Sequence, residues 1–211
     1  MATCADILGR HPDEWKGAVT HPFLTAVQDG TIQAEQFEAW LVQDGLFARE
    51  FTRFQAHALA KAPVAQFDLL LSGMAALQDE LRWFADLTHK RGLSLDVPPS
   101  ETCQRYITFM SNCAKQPWAC HAVVLWAIEK AYHEAWHAHM PGMPAPYHHY
   151  AERWGSLAFG DYVDQLQRQA DAALAAASAA ERQEAEALFV QVCALERDFW
   201  SMAFGGGAAQ A

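Results

Sequence analysis

The chain is predicted to be all-α, a compact helical bundle, and three observations carry that expectation. Apolar residues recur at spacings of three and four almost from end to end, the period that lines one face of an α-helix. No segment alternates polar with apolar residues under Val, Ile or Thr enrichment, as a half-buried strand would. Proline and glycine then cut the pattern into long segments with short connectors, as bundles require.

The first helix is expected over Ala5 to Val19, with Pro12 as the place where it can break. A short second helix begins at Pro22, because proline suits a first helical position, and Asp29-Gly30 ends it. Thr31 is the expected cap of the third helix, with Glu35 close to the capping-box position, and that helix runs to about Lys61, before Pro63. The fourth spans Val64 to Lys90 and stops near Gly92; a loop from Ser94 to Pro99 leads to the fifth, Ser100 to Ala114. Pro117 opens a long helix to His139, ended by the proline-rich stretch Pro141 to Pro146. Shorter helices follow at Tyr147 to Trp154 and Phe159 to Ala177, and the last covers Ala179 to Ala203. Residues 1–204 read as a single helical domain and 205–211 as a flexible tail.

Composition narrows the function classes. A chain of 211 residues that is 52% hydrophobic is long enough for one domain with a large core. Its formal net charge of −10, with no basic stripe, argues against nucleic acid as a partner. The start, Met1 to Arg10, lacks the charge and apolar run of a signal peptide, and no stretch nears the roughly 18 apolar residues of a membrane span. Cys4, Cys103, Cys113, Cys120 and Cys193 are scattered without a CxxC, so they read as reduced thiols in a cytoplasmic protein.

Three carboxylates occupy positions where a helix should carry an apolar residue. Asp44 has Trp40 and Leu41 one turn before it and Phe47 and Ala48 one turn after; Glu129 is bracketed by Leu125, Trp126, Tyr132 and His133. Glu196 lies between Val192, Cys193, Phe199 and Trp200. Residues three and four apart share a helical face, so each acid should point inward, where an unpaired charge is costly. Glu80, among Ala76, Leu77, Trp83 and Phe84, is a fourth acid of this kind, which Arg82 or a helix contact could satisfy. For one acid alone, a structural pairing with a buried His, Tyr or Trp would explain the placement. Several together point to a pocket for a polar or cationic ligand.

The segments His21-Pro-Phe-Leu, Asp29-Gly-Thr-Ile, Phe37 and Leu41-Val-Gln-Asp44 resemble the opening signature of the TenA (thiaminase II) family. Leu195-Glu-Arg-Asp-Phe-Trp-Ser-Met-Ala203 resembles its closing motif. Between them, Trp126-Ala-Ile-Glu-Lys-Ala-Tyr-His-Glu-Ala-Trp136, Arg153-Trp-Gly-Ser and Phe159-Gly-Asp-Tyr162 resemble the branch with an active-site glutamate in place of cysteine. The resemblance runs from His21 to Phe204. It implies a haem-oxygenase-like helical fold, a homo-oligomer (dimer or tetramer), and a cofactor-independent aminopyrimidine aminohydrolase that serves thiamin salvage.

It also implies roles. Asp44 matches the aspartate that grips the pyrimidine's amino and ring-nitrogen edge, and Glu196 matches the glutamate at the exocyclic amine or leaving group. Glu129 lies on the helix that carries the cysteine elsewhere, near the aligned point, where Ala127 also competes. The catalytic expectation is therefore Glu129 as base or nucleophile, Glu196 as acid and Asp44 as anchor. Phe47, Tyr106, Trp126, Tyr132, Phe159 and Trp200 are the expected aromatic lining, with Glu80 beside them. Phe47 stands where many members have tyrosine, and no cysteine shares the Glu129 face.

Two competing patterns remain. His133-Glu-Ala-Trp-His137 fits the HExxH of zinc peptidases, though so short a motif arises by chance in a chain with 10 histidines, and no metal is assigned. Glu134-Ala-Trp-His137 is half of a di-iron signature, for which Asp86-Leu-Thr-His89 is a weak second half. The rival functions are thus a redox enzyme, di-iron or oxidase, on the same scaffold, or a non-catalytic pyrimidine-binding regulator.

Overall fold

The computed structural model describes residues 3–205, and every regular element in that span is helical. α1 (Cys4–Arg10) and α2 (Pro12–Val19) part at His11, because Pro12 opens a new helix and has no N–H with which to continue the old one. α3 (Pro22–Gln28) also starts on proline, and the His21 ring accepts the Phe23 N–H at 3.1 Å. Thr31 does not cap the next helix as expected. Its N–H and that of Ile32 both reach back to the Ala26 carbonyl, at 2.8 and 3.0 Å, and so close α3. α4 (Ala34–Lys61) is held instead by the Gln36 side chain, which accepts the Gln33 N–H at 3.2 Å.

The expected fourth helix is split: a 3-10 turn at Val64–Gln66 precedes α5 (Phe67–Lys90). Gly92 has φ 69°, which lets the Leu93 N–H return to the Thr88 carbonyl at 2.9 Å and end α5. α6 (Glu101–Cys113) starts under Ser100, whose hydroxyl accepts the Cys103 N–H at 3.2 Å. α7 (Trp118–His139) and α8 (Ala145–Gly155) follow. α9 (Leu157–Ala176) begins earlier than Phe159 because the Ser156 hydroxyl caps it, accepting the Phe159 N–H at 3.3 Å. α10 (Ala179–Gly205) takes in Phe204 and Gly205; the rest of the expected tail, from 206, lies outside the described residues.

α7 is the axis of the bundle. Every residue from Ala119 to Ile128 is buried, so it is covered on all sides, as an all-round apolar helix must be. It packs against α2, α3, α4, α8, α9 and α10, and buried apolar residues of all ten helices join one core. Among the described residues no helix is long and apolar enough to cross a membrane.

Two close helix–helix approaches fix the relative placement of α4, α5, α7 and α8. α4 and α5 form an antiparallel hairpin in which a Cβ on Gly45 would lie 3.3 Å from the Phe84 ring. The end of α8 docks on α7 so tightly that a Cβ on Gly155 would sit 2.8 Å from the backbone nitrogen of His137. His133 and His137 complete this joint. Their Nδ1 atoms donate to the Trp154 and Gly155 carbonyls at 2.9 and 2.7 Å, acceptors that the end of α8 leaves unpaired within the helix.

Gly155→Ala should therefore force α8 off α7 rather than merely shift a side chain. We expect a loss of about 2 kcal/mol or more, seen as a drop of about 4–8 °C in the circular-dichroism melt.

Candidate active site

A cavity opens between α4, α5, α7, the end of α8 and the start of α9. α4 contributes Asp44, Phe47, Ala48, Phe51 and Gln55, a stripe at three- and four-residue spacing along one face. α5 faces it with Gly73, Ala76, Leu77 and Glu80, and α7 with Ile128, Glu129 and Tyr132. Trp154, Phe159 and Tyr162 close the remaining side. The wall is thus largely aromatic, with three carboxyl groups set into it.

Each of these acids is pushed toward its protonated form. Asp44 is 2% exposed and its Oδ1 accepts the Tyr132 hydroxyl; burial outweighs that bond and raises its pKa well above the usual carboxylate range, with Glu80 and Glu196 adding to the effect. Burial lifts Glu129 to about 8, helped by the charges of Glu80 and Glu196. No hydrogen bond from another described residue reaches the Glu129 carboxyl, and it keeps partial exposure only as part of the cavity wall. Glu80 is lifted to about 7, again by burial, but the Arg153 guanidinium and the Trp154 indole N–H oppose the rise. Arg82, the partner expected from the sequence, turns instead to Asp79 at 3.0 Å. Arg153 is fixed by stacking its guanidinium over the Trp83 ring, 4.4 Å from the centroid.

Glu196 is placed differently. It does not line this cavity but a narrow gap beside it, too small to hold a water, shared with Phe47, Tyr106, Tyr132 and Phe199. Its Oε1 accepts the Tyr106 hydroxyl at 2.5 Å, its Oε2 is buried without a partner, and burial raises it to about 8. Tyr106 is accordingly a partner of Glu196 and not a wall of the larger cavity. Two further expectations need correction. Trp126 is fully buried on another side of α7, between Trp15 and Phe189 at 6.4 and 5.8 Å. Trp200 is also fully buried; its indole donates to the Ala18 carbonyl at 2.9 Å, and its ring backs Tyr132 at 5.4 Å. Both are aromatic residues at helical spacing that serve the core. Asp44, Glu80, Glu129, Phe47, Tyr132 and Phe159 do come together on the cavity.

Sequence reasoning missed Gln55, Trp154 and Tyr162. Gln55 lies on the Asp44 stripe among Phe51, Phe54 and Ala58, a signal visible once uncharged polar residues are weighed like acids. Trp154 and Tyr162 sit inside the motifs that carry the family resemblance. The HExxH residues have other partners: besides the two histidines at α8, Glu134 pairs with Lys130 and accepts the Trp15 indole N–H, both at 2.7 Å. His133 bonds the Trp154 carbonyl and not Glu129. None of the five cysteines lines the cavity, and burial raises every thiol, four of them to about 12.

Known proteins resemble this chain along nearly its whole length. A family model described as the TENA/THI-4/PQQC family matches residues 9–206. A protein of Glycine max named as a probable bifunctional TENA-E protein is 36% identical over 94% of this chain and 91% of its own length. An aminopyrimidine aminohydrolase of Halalkalibacterium halodurans is 22% identical, covering 97% of this chain and 96% of its own. Among solved structures, a TenA homologue from Pyrococcus furiosus superposes with a TM-score of 0.90 at 26% identity, over 95% of this chain and 98% of that one.

The raised acids make stability depend on pH. Glu129 has a folded value of about 8 against an ordinary 4.5, so its contribution is complete below 4.5 and is lost as pH climbs toward 8. Glu129→Gln removes that titration. Urea unfolding should find variant and parent alike near the ordinary value of 4.5 and the variant more stable above 8, by up to about 5 kcal/mol.

Proposed function

The chain belongs to the TENA/THI-4/PQQC family, and from that membership and its cavity we propose that it hydrolyses a carbon–nitrogen bond of an aminopyrimidine. The reaction exchanges an aminomethyl group for hydroxymethyl, returning the pyrimidine for thiamin salvage. One observation carries the reading: Asp44, Glu80 and Glu129 meet on a single aromatic-walled cavity that holds no thiol.

An aminopyrimidine offers a donor next to an acceptor along one edge. Asp44, kept neutral by burial, presents the complementary pair, its hydroxyl toward the ring nitrogen and its carbonyl oxygen toward the amino group. The Tyr132 hydroxyl fixes the orientation of the carboxyl. Phe47, Phe159 and Trp154 supply faces for a flat ring.

Glu80 and Glu129 divide the proton transfers. Arg153 and the Trp154 indole favour the charge on Glu80, whereas Glu129 has no such counterweight, so Glu80 ionises first and Glu129 keeps its proton. Glu80 then takes a proton from water as its oxygen attacks the methylene carbon. The carbon–nitrogen bond breaks as Glu129 protonates the departing amine, giving the alcohol and ammonia. This reverses the base role expected of Glu129, and it passes the acid role from Glu196, which lies outside the cavity, to Glu129. Two acids whose environments separate their pKa values are how one site runs both steps near neutrality.

Release of hydroxymethyl-pyrimidine from aminomethyl-pyrimidine is the direct assay. Glu129→Gln and Glu80→Gln should each lower kcat at least about 100-fold with KM changed little. The parent's kcat/KM should be bell-shaped, rising through about 7 and falling through about 8. Full activity in either variant would remove that residue from the mechanism.

A further inference from the structure

Acids are not the only ionisable groups enclosed in the bundle. The His121 ring, in the first turn of α7, is 0% exposed. Its face lies flat on Phe54 of α4, with ring centres 5.7 Å apart and planes 8° from parallel. Phe54 stacks on Phe51 at 5.8 Å and Phe51 on Phe47 at 5.6 Å, and these last two line the cavity. A column of four rings thus runs from the cavity to the start of α7, and His121 is its one member able to take up charge.

The fold accepts this ring only while it is neutral. Its Nε2 is enclosed without a hydrogen-bond partner. Its Nδ1 has only the Pro117 carbonyl, 3.4 Å away, and that oxygen already accepts the backbone N–H groups of Cys120 and His121 at 3.1 and 3.3 Å. An imidazolium carries two N–H donors, so at least one would be buried unpaired. Among the described residues, the charged and titratable groups that reach the ring are Lys61 and His57, both on α4 and both bases; no acid does so from α4, α7, α9 or α10. The positive end of the α7 macrodipole disfavours the cation further. Burial accordingly holds His121 below its ordinary 6.5; the Pro117 carbonyl opposes that fall, and Lys61 and His57 add to it. We propose that His121 is an acid-sensitive pin: when it takes up a proton, the end of α4 and the start of α7 part, and the ring column behind the cavity loses its support. The stability supplied by the neutral ring is complete above 6.5 and is lost as pH falls below it, the opposite direction to that of Glu129.

Urea unfolding of the wild type, His121→Phe and His121→Gln, each at about pH 8 and about pH 5, tests it. Between those two conditions the unfolding constant of the wild type should rise about 10-fold more than that of either variant, because a proton the fold excludes is worth up to about tenfold per pH unit. The same acids remain in all three proteins, so the difference isolates the ring. Hydrogen exchange at about pH 5 then locates the opening. Amides of Gln55 to Lys61 and of Ala122 to Trp126 should exchange about 10-fold faster in the wild type than in the variants, while those of α8 exchange alike. An equal pH response in all three proteins would mean that another group senses the acid, and would overturn the proposal. Faster exchange spread evenly over every helix would mean global unfolding without a local seam, and would also overturn it. If His121→Phe overfills the position and does not fold, His121→Gln, which brings no ring, carries the comparison alone.

Discussion

The structure is organised around the burial of acids that the protein itself offsets only in part. Asp44, Glu80, Glu129 and Glu196 sit on rigid helices around α7, and burial is the leading cause of the raised pKa in all four. Leaving an ionised carboxylate unpaired in such surroundings would cost several kcal/mol, so the empty protein holds Asp44, Glu129 and Glu196 in their protonated form, while Arg153 and the Trp154 indole let Glu80 ionise at about 7. That makes the cavity wall a store of protons. A ligand bringing positive charge is favoured because it lets an acid ionise, and its arrival is coupled to proton release. The aromatic lining sets this up, because it keeps out the water that would otherwise stabilise each charge.

Much of this was legible in the sequence, and the rest was hidden for identifiable reasons. The three-and-four period marks nearly every helix, and Pro12, Pro22 and Gly92 act where their backbone chemistry says they should. Caps were less readable. Thr31 is a better cap by residue type than Gln33, yet its N–H and its hydroxyl both turn back to the Ala26 carbonyl, away from the start of α4. Among the acids, periodicity shows which face points inward but not whether that face meets a cavity or a packed core. Glu129 and Glu196 carry the same signature, and only the first lines the cavity. Trp126 and Trp200 fail as wall residues on the same ambiguity, while Gln55 escaped because its side chain bears no charge to look out of place.

The two histidines of the HExxH pattern show how a chance motif can matter for another reason. Their spacing puts both rings on one face of α7, as the pattern requires, and that face meets the end of α8. Each ring nitrogen satisfies a carbonyl that the helix terminus leaves free. The residue whose carbonyl His133 holds is Trp154, whose ring lines the cavity and whose indole N–H helps Glu80 to ionise. The pair thus bears on the site through the orientation of a neighbour.

The absence of sulfur from the cavity has a consequence for the protein's surroundings. All five thiols are buried and held in the uncharged form, four of them at about 12. Peroxides and electrophilic metabolites attack thiolates, and near neutrality this chain offers almost none. Chemistry assigned to carboxyl groups alone can therefore continue under oxidant exposure that would silence a cysteine nucleophile.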